Sequence, residues 1–304
     1  MRHHRPIFSS PLRYSGRILV LVALLVGVGF VTPSQAESAK IVLPKRGICA
    51  HRGAGSTHPE NTLPAFREAI RLGAHQIEFD VRRLKDGELV VIHDATVDRT
   101  TNGHGRVAEL TIDKIKKLDA GAWKNPKFAG TRVPTLAETL EIMPHNVWLN
   151  IHLKGDAKLG QAVAHEVFRQ GRTGQAFLAC TGKTAKAARK VCPQLRICNM
   201  NRTDSDARYV AETIQRKCDF LQFGGHLCKP EEMARLKRAG VRINYYGRVD
   251  KPAKLKKLFD AGVDFPLVDK VAEMIRAARA LGIEPNRPVF VKHQATQVSE
   301  KMPR

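Results

Sequence analysis

The chain has 304 residues, of which 43% are hydrophobic and 26% charged, a balance typical of a globular protein with a sizeable core. Aromatic residues make up only 6%, which argues against an aromatic-rich platform for carbohydrate or single-stranded nucleic acid. The formal net charge of +22 indicates attraction to an anionic substrate or to an anionic lipid surface. Because the basic residues are spread along the sequence rather than gathered in one tract, no specific nucleic-acid partner is expected.

The first 36 residues have the layout of a secretory signal peptide. Four arginines precede the apolar run 18–31, and small residues at Ser34 and Ala36 form a cleavage site. This run is shorter than the ~20 apolar residues that cross a bilayer, so an uncleaved membrane anchor is the less favoured alternative. We therefore predict export to a bacterial periplasm or to the exterior, with residues 37–304 forming a single domain whose core spans about 47–283.

From residue 47 onward, short apolar runs alternate with amphipathic stretches of helical periodicity. Eight of these runs are predicted to be parallel strands. They are 48–51, 76–81, 147–153, 176–180, 196–199, 220–223, 242–245 and 264–268. Eight strands that alternate with helices predict an α/β fold of the TIM (β/α)8 type.

One segment departs from this alternation. Asp86 and Gly87 are typical of a tight turn, after which 89–93 is predicted to fold back as an extra strand against the second barrel strand. A long stretch then follows, with a short helix near 113–118, so the whole insertion covers about 84–135. Long loops within a compact domain are usually functional.

Six cysteines lie beyond the signal segment, and none shows Cys-x-x-Cys spacing. They are Cys49, Cys180, Cys192, Cys198, Cys218 and Cys228. Export to an oxidising compartment permits disulfides, whereas buried free thiols are common in barrel strands. The sequence leaves both alternatives open and does not indicate a pairing.

Charged and titratable residues stand at the ends of the first three barrel strands and of the fold-back strand. They are His51, Arg52, Glu78, Asp80, His93, His152 and Lys154. In a TIM barrel the carboxyl ends of the strands face the active site. Glu78 and Asp80 occupy alternate positions and therefore share a face. Two neighbouring carboxylates are costly to bury without a cation between them, so they indicate a divalent metal, with a solvated strand end as the alternative.

The order of several motifs carries a resemblance to a known family. The motifs are His51-Arg52-Gly53, Pro59-Glu60-Asn61-Thr62, Glu78-x-Asp80, His93-Asp94, Asp98-Arg99-Thr100-Thr101 and Asp269-Lys270. In this arrangement the chain resembles the glycerophosphodiester phosphodiesterases, densely over 47–156 and more sparsely to about 283. The resemblance implies a metal-dependent enzyme that hydrolyses glycerophosphodiesters, small-molecule substrates, to an alcohol and glycerol 3-phosphate.

The resemblance also implies a metal site. Glu78 and Asp80 would bind one divalent ion, Ca²⁺ or Mg²⁺ in most relatives, and Glu60 is a further candidate ligand. The chain departs from the family at His152, where relatives usually carry a glutamate as the third protein ligand. Imidazole is neutral and softer than a carboxylate. His152 could therefore favour Mn²⁺, Co²⁺ or Zn²⁺, leave a weaker site for a hard metal, or mark a degenerate site.

The remaining implied roles concern catalysis and phosphate binding. His51 and His93 would be the general acid and base, Arg52 and Lys154 would contact the phosphate oxygens, and Asn61 would shape the floor of the site. Cleavage of a phosphodiester requires one proton to be taken from a nucleophile and another to be given to the leaving oxygen. Histidine, with an ordinary pKa near ~6.5, can do both near neutral pH.

Two other functions stay open at this point. One is a catalytically weak or inactive barrel that binds anionic lipid or a polyanion, and the other is a related phospholipase that acts on intact lipids. The pair His51 and His93 favours an enzyme, because a pure binding protein needs neither. The headgroup of the substrate is not indicated, since Asn244, Tyr245 and Tyr246 stand where relatives often carry a tryptophan at the barrel mouth.

Overall fold

A ring of eight parallel strands forms the centre of the protein in the computed structural model, which describes residues 41–291. The ring closes because the first strand pairs with both the second and the last. The predicted TIM barrel is therefore confirmed. The predicted signal peptide 1–36, with its apolar run 18–31, lies outside the described residues. Within 41–291, no helix combines the length and the apolar character needed to cross a bilayer.

Eight of the strands in residues 41–291 form the barrel, and one more lies antiparallel against the second. In chain order they are β1 (Cys49–Ala50), β2 (Gln76–Arg83), β3 (Leu89–Val91), β4 (Trp148–Leu153), β5 (Ala176–Cys180), β6 (Arg196–Asn199), β7 (Phe220–Gly224), β8 (Arg242–Tyr246) and β9 (Phe265–Val268). The antiparallel strand is β3, which confirms the predicted fold-back after the second barrel strand.

Helices follow the barrel strands and form the outer layer. They are α1 (Leu63–Arg71), α2 (Ile112–Ile115), α3 (Leu136–Glu141), α4 (Ala157–Arg169), α5 (Gly182–Val191), α6 (Asp206–Gln215), α7 (Pro230–Arg238), α8 (Pro252–Asp260) and α9 (Val271–Arg279). Of these, α2 lies in the insertion, together with two short 3₁₀ turns at Val107–Glu109 and Pro126–Phe128. The helix predicted near 113–118 thus begins one residue earlier and ends three residues sooner.

Two barrel strands, the first and the second, differ from the prediction by two residues in length, and both differences have a local cause. The first strand is β1, two residues long rather than 48–51, because Arg52 and Gly53 adopt positive φ angles of 55° and 78° and turn the chain away. The second strand extends past residue 81 because Val81 to Arg83 pair antiparallel with β3. The carboxyl ends of both strands nevertheless lie at the mouth of the barrel.

Local sequence signals set the helix ends. Thr135 and Glu138 form a reciprocal capping box that begins α3 and ends the insertion. Gly73, Gly240 and Gly262 follow α1, α7 and α8 with positive φ angles, a conformation that favours glycine at the end of a helix. These residues mark where the helices begin or end.

The barrel interior is filled in layers. Alternate residues of β4 face inward, so that Trp148, Asn150 and His152 lie at successive depths. The ring of Trp148 packs edge-on against Phe220, which stacks on Phe177 with ring centroids 3.9 Å apart. This aromatic layer closes the far end of the barrel. The charged carboxylates of β2 and the imidazole of β4 lie above this layer, toward the mouth.

The insertion has a small core of its own. Buried apolar side chains hold it against the hairpin of β2 and β3, namely Leu84, Val90, Ile92, Val97, Val107, Ile115, Ala120 and Val133. Because these side chains are removed from water, the residues that follow β3 stand on a packed base rather than on a free loop.

All six cysteines are buried free thiols. Of the two alternatives left open by the sequence, the structure therefore has the buried free thiols. Burial raises the pKa of the Cys180 thiol to about 12 and that of Cys228 to about 11, which keeps both groups protonated and unreactive near neutral pH.

Candidate active site

Two carboxylates and one imidazole meet at the mouth of the barrel. Glu78 and Asp80 come from β2 and His152 from β4, and one ligand atom of each lies within 4.8 Å of the others. The strand register places Asp80 directly beside His152. The His152 Nδ1 atom is 3.3 Å from Asp80 Oδ1 and 3.6 Å from Glu78 Oε1. The two carboxylates are almost fully buried, so their negative charge must be balanced locally.

Nearby cations and donors supply that balance. Lys154 Nζ lies 3.2 Å from Asp80 Oδ1, and Arg52 Nε lies 3.5 Å from Asp80 Oδ2. The backbone N–H of Arg52 donates to Glu78 Oε2 at 3.0 Å, and Asn61 Nδ2 donates to Asp80 Oδ2 at 2.9 Å. Burial alone would raise the pKa of Asp80, but the contact with His152 and the charges of Lys154 and Arg52 hold it well below its usual range. Asp80 is therefore ionised.

The chemistry of the donor set fits a divalent cation. Asp80 Oδ1 is buried and accepts no well-aligned hydrogen bond within residues 41–291, although Lys154 and His152 approach it. Burial alone would lower the pKa of His152, but its contacts with Asp80 and Glu78 outweigh burial and raise it. These contacts favour the protonated, cationic form of the His152 ring between the two carboxylates. It could become a ligand only after losing its proton.

Each of the two candidate catalytic histidines is held by a carboxylate. His51 Nδ1 lies 2.8 Å from Asp269 Oδ1, and His93 Nδ1 lies 2.6 Å from Asp94 Oδ1. Burial alone would lower the pKa of His51, but the bond with Asp269 and the charge of Glu78 outweigh it, so the pKa is raised. A carboxylate on Nδ1 fixes the orientation of the ring and leaves Nε2 to exchange a proton.

An arginine links these groups into one network. Arg99 donates to both oxygens of Glu60, at 2.9 and 2.7 Å, and to both oxygens of Asp94, at 2.6 and 3.1 Å. Arg52 Nη1 donates to Glu60 at 2.7 Å. Burial alone would raise the pKa of Glu60, but its bonds with Arg99 and Arg52 lower it. The network therefore runs from His93 through Asp94, Arg99 and Glu60 to Arg52.

Glu60 belongs to this network. Its carboxylate is taken up by Arg52 and Arg99, and it stands outside the cluster of Glu78, Asp80 and His152. Glu60 thus positions Arg52, and its role as a metal ligand stays a prediction. The carboxylates of Asp94 and Asp269 and the guanidinium of Arg99 were given no role from the sequence, although all three lie within the motifs that carried the resemblance.

Strained backbone fixes the loop after β1. Arg52 and Asn61 both have positive φ angles, 55° and 57°, and the Asn61 N–H donates to the Arg52 carbonyl at 3.0 Å. A non-glycine residue in this region costs on the order of 1–3 kcal/mol, which other contacts must offset. Gly53 packs so closely on α1 that an added Cβ would lie 2.8 Å from the Ala65 carbonyl carbon. The loop is thereby held with Arg52 against Asp80.

Of the three residues at the end of β8, one reaches the mouth. Tyr246 is 42% exposed, and its ring centroid lies 5.2 Å from that of His51. Asn244 is buried and donates to Gln76, while the Tyr245 hydroxyl donates to the Gly225 carbonyl. Tyr246 therefore supplies the aromatic wall beside His51.

A TIM barrel with two carboxylate-held histidines, an arginine and a lysine at its mouth is typical of a hydrolase that acts on anionic esters. The model of the Glycerophosphoryl diester phosphodiesterase family matches residues 51–273. A glycerophosphodiester phosphodiesterase of Caldanaerobacter subterraneus subsp. tengcongensis is 34% identical over 244 residues, which are 77% of this chain and 98% of that protein. The chain belongs to the glycerophosphoryl diester phosphodiesterase family and is a phosphoric diester hydrolase.

Solved structures share the barrel. The glycerophosphodiester phosphodiesterase from Agrobacterium tumefaciens is 29% identical with a TM-score of 0.66, and the match covers 77% of this chain and 99% of that one. A phosphodiesterase from Oleispira antarctica, solved in complex with the product sn-glycerol-3-phosphate, has a TM-score of 0.69 over 77% of this chain and 96% of that one. Its identity of 23% supports the fold alone.

Proposed function

We propose that the protein hydrolyses glycerophosphodiesters to an alcohol and glycerol 3-phosphate, with His51 and His93 exchanging the protons. The observation that carries the proposal is the pair of histidines, each bonded to its own carboxylate at one barrel mouth. An anion-binding barrel would need cations but not two such dyads. The 34% identity with the glycerophosphodiester phosphodiesterase of Caldanaerobacter subterraneus supports the substrate class.

The proton roles follow from the surroundings of each ring. The raised pKa of His51 favours the protonated ring, which suits the donor to the leaving oxygen. His93 then takes the proton of the nucleophile. Arg52 and Lys154, which already lie against Asp80, contact the phosphate oxygens and hold the ester between the two rings.

Glu78, Asp80 and deprotonated His152 would hold one divalent metal ion. When bound, such an ion supplies positive charge that stabilises the phosphate oxygens during cleavage. Because His152 gives a neutral nitrogen in place of a carboxylate oxygen, we propose Mn²⁺, Co²⁺ or Zn²⁺ rather than Ca²⁺ or Mg²⁺. Loss of its proton also frees Asp80 Oδ1 from one of the two cations that approach it.

The activity is tested with chelator-treated protein that receives Ca²⁺, Mg²⁺, Mn²⁺, Co²⁺ or Zn²⁺ separately. Glycerophosphodiesters with several alcohols and one intact phospholipid serve as substrates. Release of glycerol 3-phosphate with at least one ion is expected. Cleavage of the intact lipid alone would favour the phospholipase alternative, and absence of turnover with every ion would favour an inactive binding barrel.

A membrane surface is a second candidate partner. Trp123 is 39% exposed in the insertion, its indole N–H donates to the Ala120 carbonyl, and Lys124 lies 5.8 Å from its ring. An exposed indole beside lysines is typical of contact with an anionic interface. Because Trp148 is buried, a blue shift of fluorescence on adding anionic vesicles would report on Trp123. An unchanged spectrum would speak against this partner.

We also propose that the chain is exported and cleaved after Ala36. The basic start and the apolar run 18–31 support this proposal. Mass spectrometry of the native protein from the periplasm or medium should find Glu37 as its first residue. A full-length chain in the inner membrane would favour the anchor alternative.

A further inference from the structure

A second basic cleft lies beside the barrel mouth, outside the carboxylate cluster. Its volume is about 300 Å³, and it is bounded by the end of β2, the insertion and the beginning of α4. The residues that give it its chemical character are Arg82, Arg83, Arg106, Lys154 and Asp156. Four of these five side chains are cationic, so the cleft holds a surplus of positive charge.

The three arginines of the cleft lack strong acidic partners within residues 41–291. Arg82 donates to two backbone carbonyls, those of His93 at 2.9 Å and Lys154 at 3.3 Å, and contacts no carboxylate within ion-pair distance. Arg83 forms no ion pair with a described residue. Arg106 reaches only Glu109, at 3.5 Å, and both side chains are largely exposed. Exposed pairs of this kind contribute little, so Arg106 remains available to another anion.

The acid in the cleft is already used. Asp156 is the N-cap of α4, and its Oδ1 accepts a hydrogen bond from the Leu159 N–H at 3.1 Å. Within residues 41–291 it forms no ion pair with a cation of the cleft. Arg82 is partly buried, and burial lowers its pKa, although the charges of Asp80 and Asp94 act in the opposite direction.

Lys154 joins the cleft to the active site. Its side chain lines the cleft, while its Nζ atom lies 3.2 Å from Asp80 Oδ1. Arg82 connects the two segments, because it donates to the backbone carbonyls of both His93 and Lys154. A diester whose phosphate rests on Lys154 can thus extend one of its two alcohol groups into the cleft. Guanidinium groups bind phosphate and carboxylate through paired hydrogen bonds, which makes them suited to a second acid group.

We propose that this cleft is an anion subsite for a phosphate carried by the alcohol portion of the diester. The proposal rests on the proposed function and narrows its substrate class to glycerophosphodiesters with an additional acid group. Arg83 and Arg106 bind the additional phosphate and thereby distinguish phosphorylated from unphosphorylated alcohol groups. Arg82 fixes the backbone of the cleft through its two carbonyl contacts.

A matched substrate pair tests this subsite. Glycerophosphoinositol and its 4-phosphate differ only in the additional phosphate, and the readout is the ratio of their kcat/KM values. Charge-assisted hydrogen bonds support a preference of about tenfold for the phosphorylated substrate. Arg83→Gln combined with Arg106→Gln should bring the ratio close to one. Arg67→Gln is the control, because it removes an exposed arginine of α1 and should leave the ratio unchanged.

The outcomes separate this proposal from the proposed function. Cleavage of glycerophosphoinositol with a ratio near one in the wild type would overturn the subsite and leave the hydrolase intact. Failure to cleave either inositol substrate, while other glycerophosphodiesters are hydrolysed, would likewise overturn the subsite alone, and absence of turnover with every glycerophosphodiester would overturn the proposed function. Inorganic phosphate distinguishes a free anion from one carried by the substrate. If the wild type shows a ratio near one while phosphate inhibits it, and phosphate does not inhibit the variant that combines Arg83→Gln with Arg106→Gln, the cleft binds free phosphate and the assignment to the substrate is wrong.

Discussion

Replacing His152 with glutamate is the change that most directly tests how charge is balanced at the mouth. In the wild type the His152 ring lies 3.3 Å from Asp80 and 3.6 Å from Glu78, and these contacts raise its pKa. In His152→Glu a third carboxylate takes this place. Without a metal ion, the favourable contacts become repulsive, and the variant should be less stable than the wild type.

Two estimates limit the loss in the free energy of unfolding from above. Two like charges about 4 Å apart repel by about 4 kcal/mol at an effective dielectric constant of ~20. The new glutamate can instead take up a proton, which costs about 4 kcal/mol at pH 7 from an ordinary pKa near ~4.3. Because Lys154 and Arg52 offset part of the repulsion, we expect a loss of about 2–4 kcal/mol in the stripped protein. For a domain of this size that lowers Tm by roughly 5–10 °C.

Thermal unfolding of the stripped proteins, followed by addition of each ion, measures this effect. Metal should restore the stability of His152→Glu, with Ca²⁺ now effective because the site has gained an oxygen and a negative charge. The wild type should gain more from Mn²⁺, Co²⁺ or Zn²⁺, and less at acid pH, where His152 keeps its proton. Equal stability of the two stripped proteins, or equal preference for Ca²⁺, would refute the reasoning.

Two more predictions concern the residues that position the histidines. Asp269→Asn removes the bond that raises the pKa of His51, so the alkaline limb of the pH–kcat profile should move to lower pH. An unmoved limb would mean that His51 is not the proton donor. Arg99→Ala should lower kcat about tenfold by releasing Asp94 and Glu60 together, and Arg99→Lys should not rescue it, because lysine lacks the paired donors. Full rescue by Arg99→Lys would mean that Arg99 acts only through its positive charge.

Much of the fold was predictable because apolar runs mark buried strands directly. The hairpin could be predicted from the Asp86-Gly87 turn, and the barrel from the alternation of strands and helices. The end of the first strand could not be placed, because it depends on positive φ angles at Arg52 and Gly53 that hold the loop against α1. Nothing in the local pattern distinguishes such an arginine from one in an extended strand.

The site was predictable where neighbouring strands bring residues together. The period of two places Glu78 and Asp80 on one face, and the parallel register brings His152 beside them. The contact of Glu60 with Arg99 could not be predicted, because Arg99 lies 39 residues away in the insertion. The bond between His51 and Asp269 spans 218 residues and depends on closure of the barrel. Such contacts follow from the folded topology rather than from sequence spacing.

The central claim is that His51 and His93 transfer protons during hydrolysis of a glycerophosphodiester. The most direct test is the turnover of metal-loaded His51→Ala and His93→Ala, with His165→Ala as control because His165 lies exposed on α4. Loss of proton transfer should reduce kcat by ~10²–10⁴-fold in the first two variants, and unfolding curves should remain those of a folded barrel. The control should match the wild type. Activity within about threefold of the wild type in either histidine variant would contradict the claim, since general acid–base transfer contributes far more than that.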